Sequence, residues 1–117
     1  MRSPPEIALS VLVIALVGYL VWPKAKGVVS PEEAHRQVER GALLLDVRTP
    51  EEFAQGHLPG ARNVPVQVLE SRLAEVGDAA SPVVVYCRSG ARSARAKSIL
   101  VRHGFVDVSD LGAMSRY

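Results

Sequence analysis

The hydrophobic positions of this chain follow two patterns that change at Pro23. Ahead of it, Ile7 to Trp22 is a stretch of 16 uncharged residues, apolar on every side and interrupted only by Ser10, Gly18 and Tyr19. Beyond it, short apolar runs alternate with amphipathic segments that open on capping residues and close on glycine. Gly27-Val28-Val29 reads as a short first strand. Ser30-Pro31-Glu32-Glu33 is a capping box with proline at the first helical position, and the helix it opens runs to Arg40 and stops at Gly41. Ala42 to Val47 is a buried strand, and Thr49-Pro50-Glu51-Glu52 repeats the cap for a short helix ending near Gly56. Ala61 to Val64 is a third strand. Gln67 to Val76 carries Val68, Leu69, Leu73 and Val76 at helical spacing and closes at Gly77. A loop over 78–82 leads into the Val83 to Tyr86 strand. Ser93 to His103 is the next helix, with Ala94, Ile99 and Leu100 inward and Gly104 as its stop, and Phe105 to Ser109 is a last strand. Strands separated by helices predict an α/β fold in which right-handed crossovers build a mainly parallel sheet flanked by helices.

The first pattern needs a separate reading. Arg2 flanks the stretch on one side and Lys24 and Lys26 on the other, and its length falls between a signal-peptide core and a bilayer-spanning helix of about 20 residues. Tyr19 and Trp22 stand where interfacial aromatics belong, and only a weak Ala25-x-Gly27 resembles a cleavage site. The reading is an uncleaved single-pass transmembrane helix within residues 1–23, with membrane contact through Ile7 to Trp22, followed by one domain over 24–117. A cleaved signal is the alternative. A first helix of the globular core fits poorly, because the run is apolar all round and ends at Pro23. Lys24, Lys26, Arg36 and Arg40 outnumber Arg2 and the amino terminus, which leans the domain toward the cytoplasm; a periplasmic or exported domain is the alternative.

Composition narrows the chemistry. At 117 residues there is room for one core, and abundant branched aliphatics with few aromatics suit strands buried on both faces. A single cysteine excludes an intrachain disulfide framework and a multi-cysteine zinc site, and the scattered histidines give a metal site little support. A net charge of +2 without basic runs interleaved with aromatics does not argue for nucleic acid.

That single cysteine, Cys87, ends the run Pro82-Val83-Val84-Val85-Tyr86 and opens the turn Cys87-Arg88-Ser89-Gly90-Ala91-Arg92-Ser93. A strand, a tight loop and a helix start place the sulfur at the bottom of the loop, facing a helix N-terminus and inward-turned backbone N–H groups that favour thiolate over thiol. Gly90 allows the φ values that such a cradle needs. From Cys87 to His103 there are five basic residues, Arg88, Arg92, Arg95, Lys97 and Arg102, and no acidic one, so a positive mouth would attract an anionic substrate. Arg88 and Arg92 lie in the loop itself; the three helix cations read as a solvated face. Ligands of such sheets bind beyond the carboxyl ends of the strands, where Cys87 lies.

These residues resemble the rhodanese family. Leu43-Leu44-Leu45-Asp46-Val47-Arg48-Thr49-Pro50-Glu51-Glu52-Phe53, with Gly56-His57-Leu58-Pro59-Gly60-Ala61 and Asn63-Val64-Pro65, is similar to the first half of that domain. Cys87 to Ser93 is similar to its active-site loop, and Gly104-Phe105, Leu111-Gly112 and Tyr117 to its closing pattern. Two positions depart from the pattern: Gly112-Ala113 stands where the family usually has a Gly-Gly pair, and Tyr117 where it has tryptophan. Both are expected to lie away from the loop and so to alter the packing of the tail rather than the chemistry.

The resemblance implies a ping-pong reaction. Cys87 would attack the outer sulfur of a small anionic donor such as thiosulfate, keep it as a persulfide, and pass it to a thiol or cyanide, with no metal or organic cofactor. Substrate binding would fall to Arg88, Ser89, Gly90, Ala91, Arg92 and Ser93, and another protein is a further conceivable sulfur acceptor. A cysteine-dependent phosphatase or arsenate reductase is the enzymatic rival, but it needs Cys-x5-Arg, and only four residues separate Cys87 from Arg92. A non-catalytic binding module is the other alternative, disfavoured because Cys87 is present. Asp46 and Arg48 could line the site rim; the stronger reading is that they fix the loops, with Arg48 pairing to Glu51 or Glu52. His57 reads as a turn residue, and His35 and His103 as helix-surface residues.

Overall fold

The computed structural model describes residues 27–117. The expected membrane segment, Ile7 to Trp22, and the boundary at residue 23 lie outside the described residues; among the described residues no helix is long and apolar enough to cross a membrane. Those residues form an α/β unit of helices α1 (Pro31–Glu39), α2 (Pro50–Gln55) and α3 (Ala91–Arg102) and strands β1 (Leu43–Asp46), β2 (Arg62–Asn63), β3 (Val83–Cys87) and β4 (Val108–Ala113). The strands pair in the order β2-β1-β3-β4, every pair parallel.

Alternation along the strands sorts their side chains to two faces. Val83, Val85 and Cys87 of β3 join Leu45, Ala96, Ile99 and Leu100 in the core under α3. Val84 and Tyr86 join Leu44, Leu111 and the α1 residue Ala34 on the other face. Every residue of β3 is buried, as a central parallel strand requires, so the cysteine reaches the carboxyl edge already facing α3.

The caps fold much as their residues dictate. Thr49 and Glu52 form a complete box, Glu52 N–H on Thr49 Oγ1 and Thr49 N–H on Glu52 Oε1, each 3.1 Å. At Ser30 only half of the expected box forms: Ser30 Oγ accepts the Glu33 N–H, while the Glu33 carboxylate turns along α1 to Arg36 and Gln37.

Five expectations are corrected. Residues 66–76 form two 3-10 segments, Val66–Ser71 and Leu73–Glu75, instead of an α-helix over 67–76. The buried residues there include Val66 and Leu69, three apart and eclipsed in a 3-10 turn, while Val68 is exposed. On α3 the inward alanine is Ala96, and Ala94 is exposed; the helix also starts two residues earlier than its periodicity suggests, because Gly90 serves as its N-cap. The last strand begins at Val108 rather than Phe105. Phe105 is consumed by the end of α3, its N–H bonding Leu100 O at 3.0 Å while Gly104 N–H bonds Val101 O at 3.1 Å, which is a Schellman closure with Phe105 as its apolar plug. The expected first strand is a single bridge, Val28 to Asp110.

The segments beyond the carboxyl end of β1 are tied by a buried ion pair. Arg48 Nε donates to both Asp46 oxygens at 3.1 Å, Arg48 Nη2 donates to Asp46 Oδ2 at 2.7 Å and to Gly56 O at 2.7 Å, and both side chains are almost fully buried. This replaces the expected pairing of Arg48 with Glu51 or Glu52: Asp46, two residues away, is the nearer carboxylate once the chain leaves β1. Asn63 Nδ2 donates to the carbonyls of Asp46 and Arg48, fastening β2 to the same corner. Replacing Arg48 by Ala strands the Asp46 charge out of water and is expected to cost about 3–5 kcal/mol of unfolding free energy in urea titrations, well beyond the effect of removing the exposed Arg36.

Candidate active site

Cys87 has no exposed surface and sits where β3 gives way to α3. Gly90 N–H donates to its sulfur at 2.9 Å, and the thiol donates to Ser93 Oγ at 3.6 Å. Ser93 Oγ in turn donates to Gly90 O at 3.0 Å. Gly90 makes the turn possible with φ 108°, in the left-handed region that a side chain resists. Burial pushes the Cys87 thiol up. The Ser93 hydroxyl and the N–H groups of Ser93, Gly90 and Ser89 outweigh that penalty and hold it below its ordinary value. When the proton leaves, the Ser93 hydroxyl has a choice of acceptors, and turning from the Gly90 carbonyl to the sulfur gives the anion a further donor. The positive end of α3, a 12-residue helix, acts in the same direction.

Around this sulfur the basic side chains are not equivalent. Arg92 forms a two-pronged pair with Glu52, Nη1 to Oε1 at 2.6 Å and Nη2 to Oε2 at 3.0 Å. The Arg92 guanidinium, then the Thr49 N–H and hydroxyl, hold Glu52 down to about 2 against the opposing effect of burial. Any stability the pair adds is therefore complete above about pH 4.5 and lost as pH falls toward about 2. Arg48 is spent on Asp46. Arg88 is exposed and joins Arg48, Glu52, Gln55, Gly56 and Met114 around a cleft of about 290 Å³ beside the loop.

A sequence profile of the rhodanese-like domain matches residues 30–115. The chain belongs to the rhodanese-like family. The uncharacterized protein YqhL of Bacillus subtilis is 34% identical over 105 residues, covering 90% of this chain and 82% of that protein. Thiosulfate sulfurtransferase GlpE of Stutzerimonas stutzeri is 36% identical over 83 residues, 71% of this chain and 75% of that one. Among solved structures, the human single-domain sulfurtransferase TSTD1 superposes with a TM-score of 0.67 at 30% identity, covering 77% of this chain and 90% of the human one.

The rhodanese loop gathers Cys87, Ser89, Gly90 and Ser93 about one atom, while Arg88 and Ala91 face outward. Asp46 and Arg48 stand under the rim as a structural pair, although Arg48 also reaches the cleft. His57 is a turn residue: its ring stacks on Phe53 at 3.7 Å and its Nδ1 donates to Phe53 O at 2.9 Å. His35 stacks on Tyr117, and His103 meets Glu70 at 2.8 Å, both at the surface. The expectation that both family departures lie away from the loop is corrected, since Ala113 is the strand partner of Cys87 itself. The sequence reading also passed over Glu52 as a site residue, because its capping signal explained it fully, and over Gln55, Gly56 and Met114. A second cleft, of about 360 Å³, opens at the amino ends of β1 and β3 among Val38, Gly41, Pro59 and Pro82, away from Cys87. Replacing Ser93 by Ala is expected to move the Cys87 titration, followed by thiolate ultraviolet absorbance, upward from its depressed position toward the ordinary 9.0; an unmoved curve would assign the depression to the backbone alone.

Proposed function

We propose that this rhodanese-like protein is a sulfurtransferase that moves sulfane sulfur from a small anionic donor such as thiosulfate to a thiol or cyanide through a persulfide on Cys87. The observation that carries the reading is the buried sulfur under converging N–H groups and the Ser93 hydroxyl, a setting that stabilises a negative sulfur. It is supported by the thiosulfate sulfurtransferases among the relatives. In the first step the Cys87 thiolate attacks the outer sulfur of thiosulfate. The new S–S bond forms as the old one breaks, and sulfite leaves with the electron pair. The charge now rests on the outer sulfur of Cys–S–S⁻, within reach of the same donors. In the second step a thiolate or cyanide attacks that outer sulfur and Cys87 returns as thiolate. Every atom and electron is accounted for by donor, acceptor and cysteine.

Because the sulfur has no exposed surface, the loop must open for the donor to reach it, and the exposed Arg88, which lines the neighbouring cleft, supports a role for that side chain in meeting the donor. The phosphatase reading loses its clamp, since Arg92 faces Glu52. The full chain, reduced and incubated with thiosulfate, is expected to gain the mass of one sulfur that disappears on adding cyanide, and Cys87→Ser is expected to gain none. Turnover by that variant would remove Cys87 from the reaction.

Residues 7–22 are proposed as a single-pass membrane anchor with the rhodanese domain on the cytoplasmic side, where a protein sulfur acceptor would also be met. On cell fractionation the chain is expected to stay with membranes through a high-pH carbonate wash. Recovery in the wash would exclude a spanning helix.

A further inference from the structure

Three arginines surround the mouth of the rhodanese loop, but two of them carry bound carboxylates. Asp46 neutralises Arg48 below the rim. Glu52 neutralises Arg92 at the rim, where the two side chains are 25% and 30% exposed and within reach of a ligand. Glu52 also lines the cleft itself, so a substrate entering beside Arg88 meets a carboxylate as well as a guanidinium. The Thr49 N–H holds that carboxylate from behind, while the Thr49 hydroxyl accepts the Glu52 backbone N–H, so the charge is held as part of the wall.

From this arrangement we infer that Glu52 is a specificity-determining residue that sets the charge of the sulfur donor. By occupying Arg92 and presenting its own carboxylate to the cleft, it selects singly charged donors over dianions. The inference rests on the sulfurtransferase reading and deepens it. A donor of the thiosulfonate class, R–SO2–S⁻, delivers its sulfur by the same balanced step as thiosulfate, the Cys87 thiolate taking the outer sulfur and R–SO2⁻ departing with the electron pair. The two donors differ by one negative charge, and the mouth distinguishes them by that charge. With Glu52 neutralised, Arg92 turns into an unpaired cation beside the cleft.

Glu52→Gln tests this without dismantling the loop, because glutamine serves the same capping box and keeps an oxygen for Thr49 N–H. Rates of persulfide formation are measured on the full chain with thiosulfate and with methanethiosulfonate. The attraction gained by a dianion is twice that gained by a monoanion, so the thiosulfate to methanethiosulfonate ratio of kcat/KM is expected to rise about fivefold, mostly through KM, and the rise should shrink in high salt. Adding Arg92→Gln to Glu52→Gln should bring the ratio back toward the wild-type value. A structural role for Glu52 would change both donors by one factor, and such a result, a fall in the ratio, or a ratio that stays high in the double variant overturns the inference. If the wild-type chain takes sulfur from neither donor, the sulfurtransferase reading fails, and the inference with it; that failure appears in the wild-type rates alone.

Discussion

The Asp46–Arg48 pair is the constraint on which the rest of the site depends. A parallel sheet fixes its strands through ladder hydrogen bonds, but beyond the carboxyl ends those bonds stop, and the segments that build a site there need another restraint. Asp46 is the last residue of β1 and the strand partner of Tyr86, the residue before Cys87. Its carboxylate is wholly buried, so it must be met by donors, and it collects the Arg48 N–H and the Arg48 guanidinium. Arg48 then holds Gly56 O, and Tyr86 Oη accepts the Leu58 N–H, which pins the connection from α2 to β2. Burial, then the neighbouring Asp46, pushes the Tyr86 phenol above its ordinary value, so it stays neutral in this role. One buried charge thus orders three chain segments around the end of β3.

The electrostatics at the mouth depend on pairing rather than on the number of cations. Five basic residues follow Cys87 with no acid among them, yet Arg92 reaches across to a carboxylate 40 residues earlier in the chain. What stabilises the sulfur anion is therefore short-range: N–H groups and a hydroxyl within the buried loop, where the dielectric is low and each donor counts for more than a screened surface cation. Such a cradle is suited to a charge that moves one atom outward, from thiolate to persulfide, because N–H donors need not be displaced when sulfur is added.

Much of this was legible in the chain. The proline-led caps, the apolar run before Cys87 and the glycine after it follow from local rules, and they place the cysteine at a strand end facing a helix. The failures have physical causes. Periodicity over 67–76 cannot separate an α-helix from 3-10 turns when both bury Leu69, and Phe105 looks like a strand residue until its N–H is seen closing α3. Glu52 carried two roles on one side chain, and only the local one leaves a sequence signal. Its contact with Arg92 depends on how α2 and α3 meet, which no spacing within either segment encodes.

The closing motif shows how distant sequence becomes part of the loop. Up to Val85 the register of β3 against β4 is continuous, pairing Val85 with Asp110; then Leu111 is passed over and Tyr86 pairs with Gly112. Such a bulge inserts one residue and reverses which face the following side chains take. Asp110 Oδ1 accepts the Gly112 N–H at 2.8 Å to form the turn, and Gly112 adopts φ 84° to complete it. Leu111 is thereby sent into the core beside Tyr86. A side chain on Gly90 would come within 3.9 Å of Gly112 Cα, so the cradle turn and the bulge lie against each other with backbone on both sides. Ala113, next along, pairs with Cys87 and brings only a methyl group to the strand end. Gly112 is therefore part of the wall against which the cysteine-bearing turn is folded, and both glycines are held to their positions by positive φ rather than by lack of space.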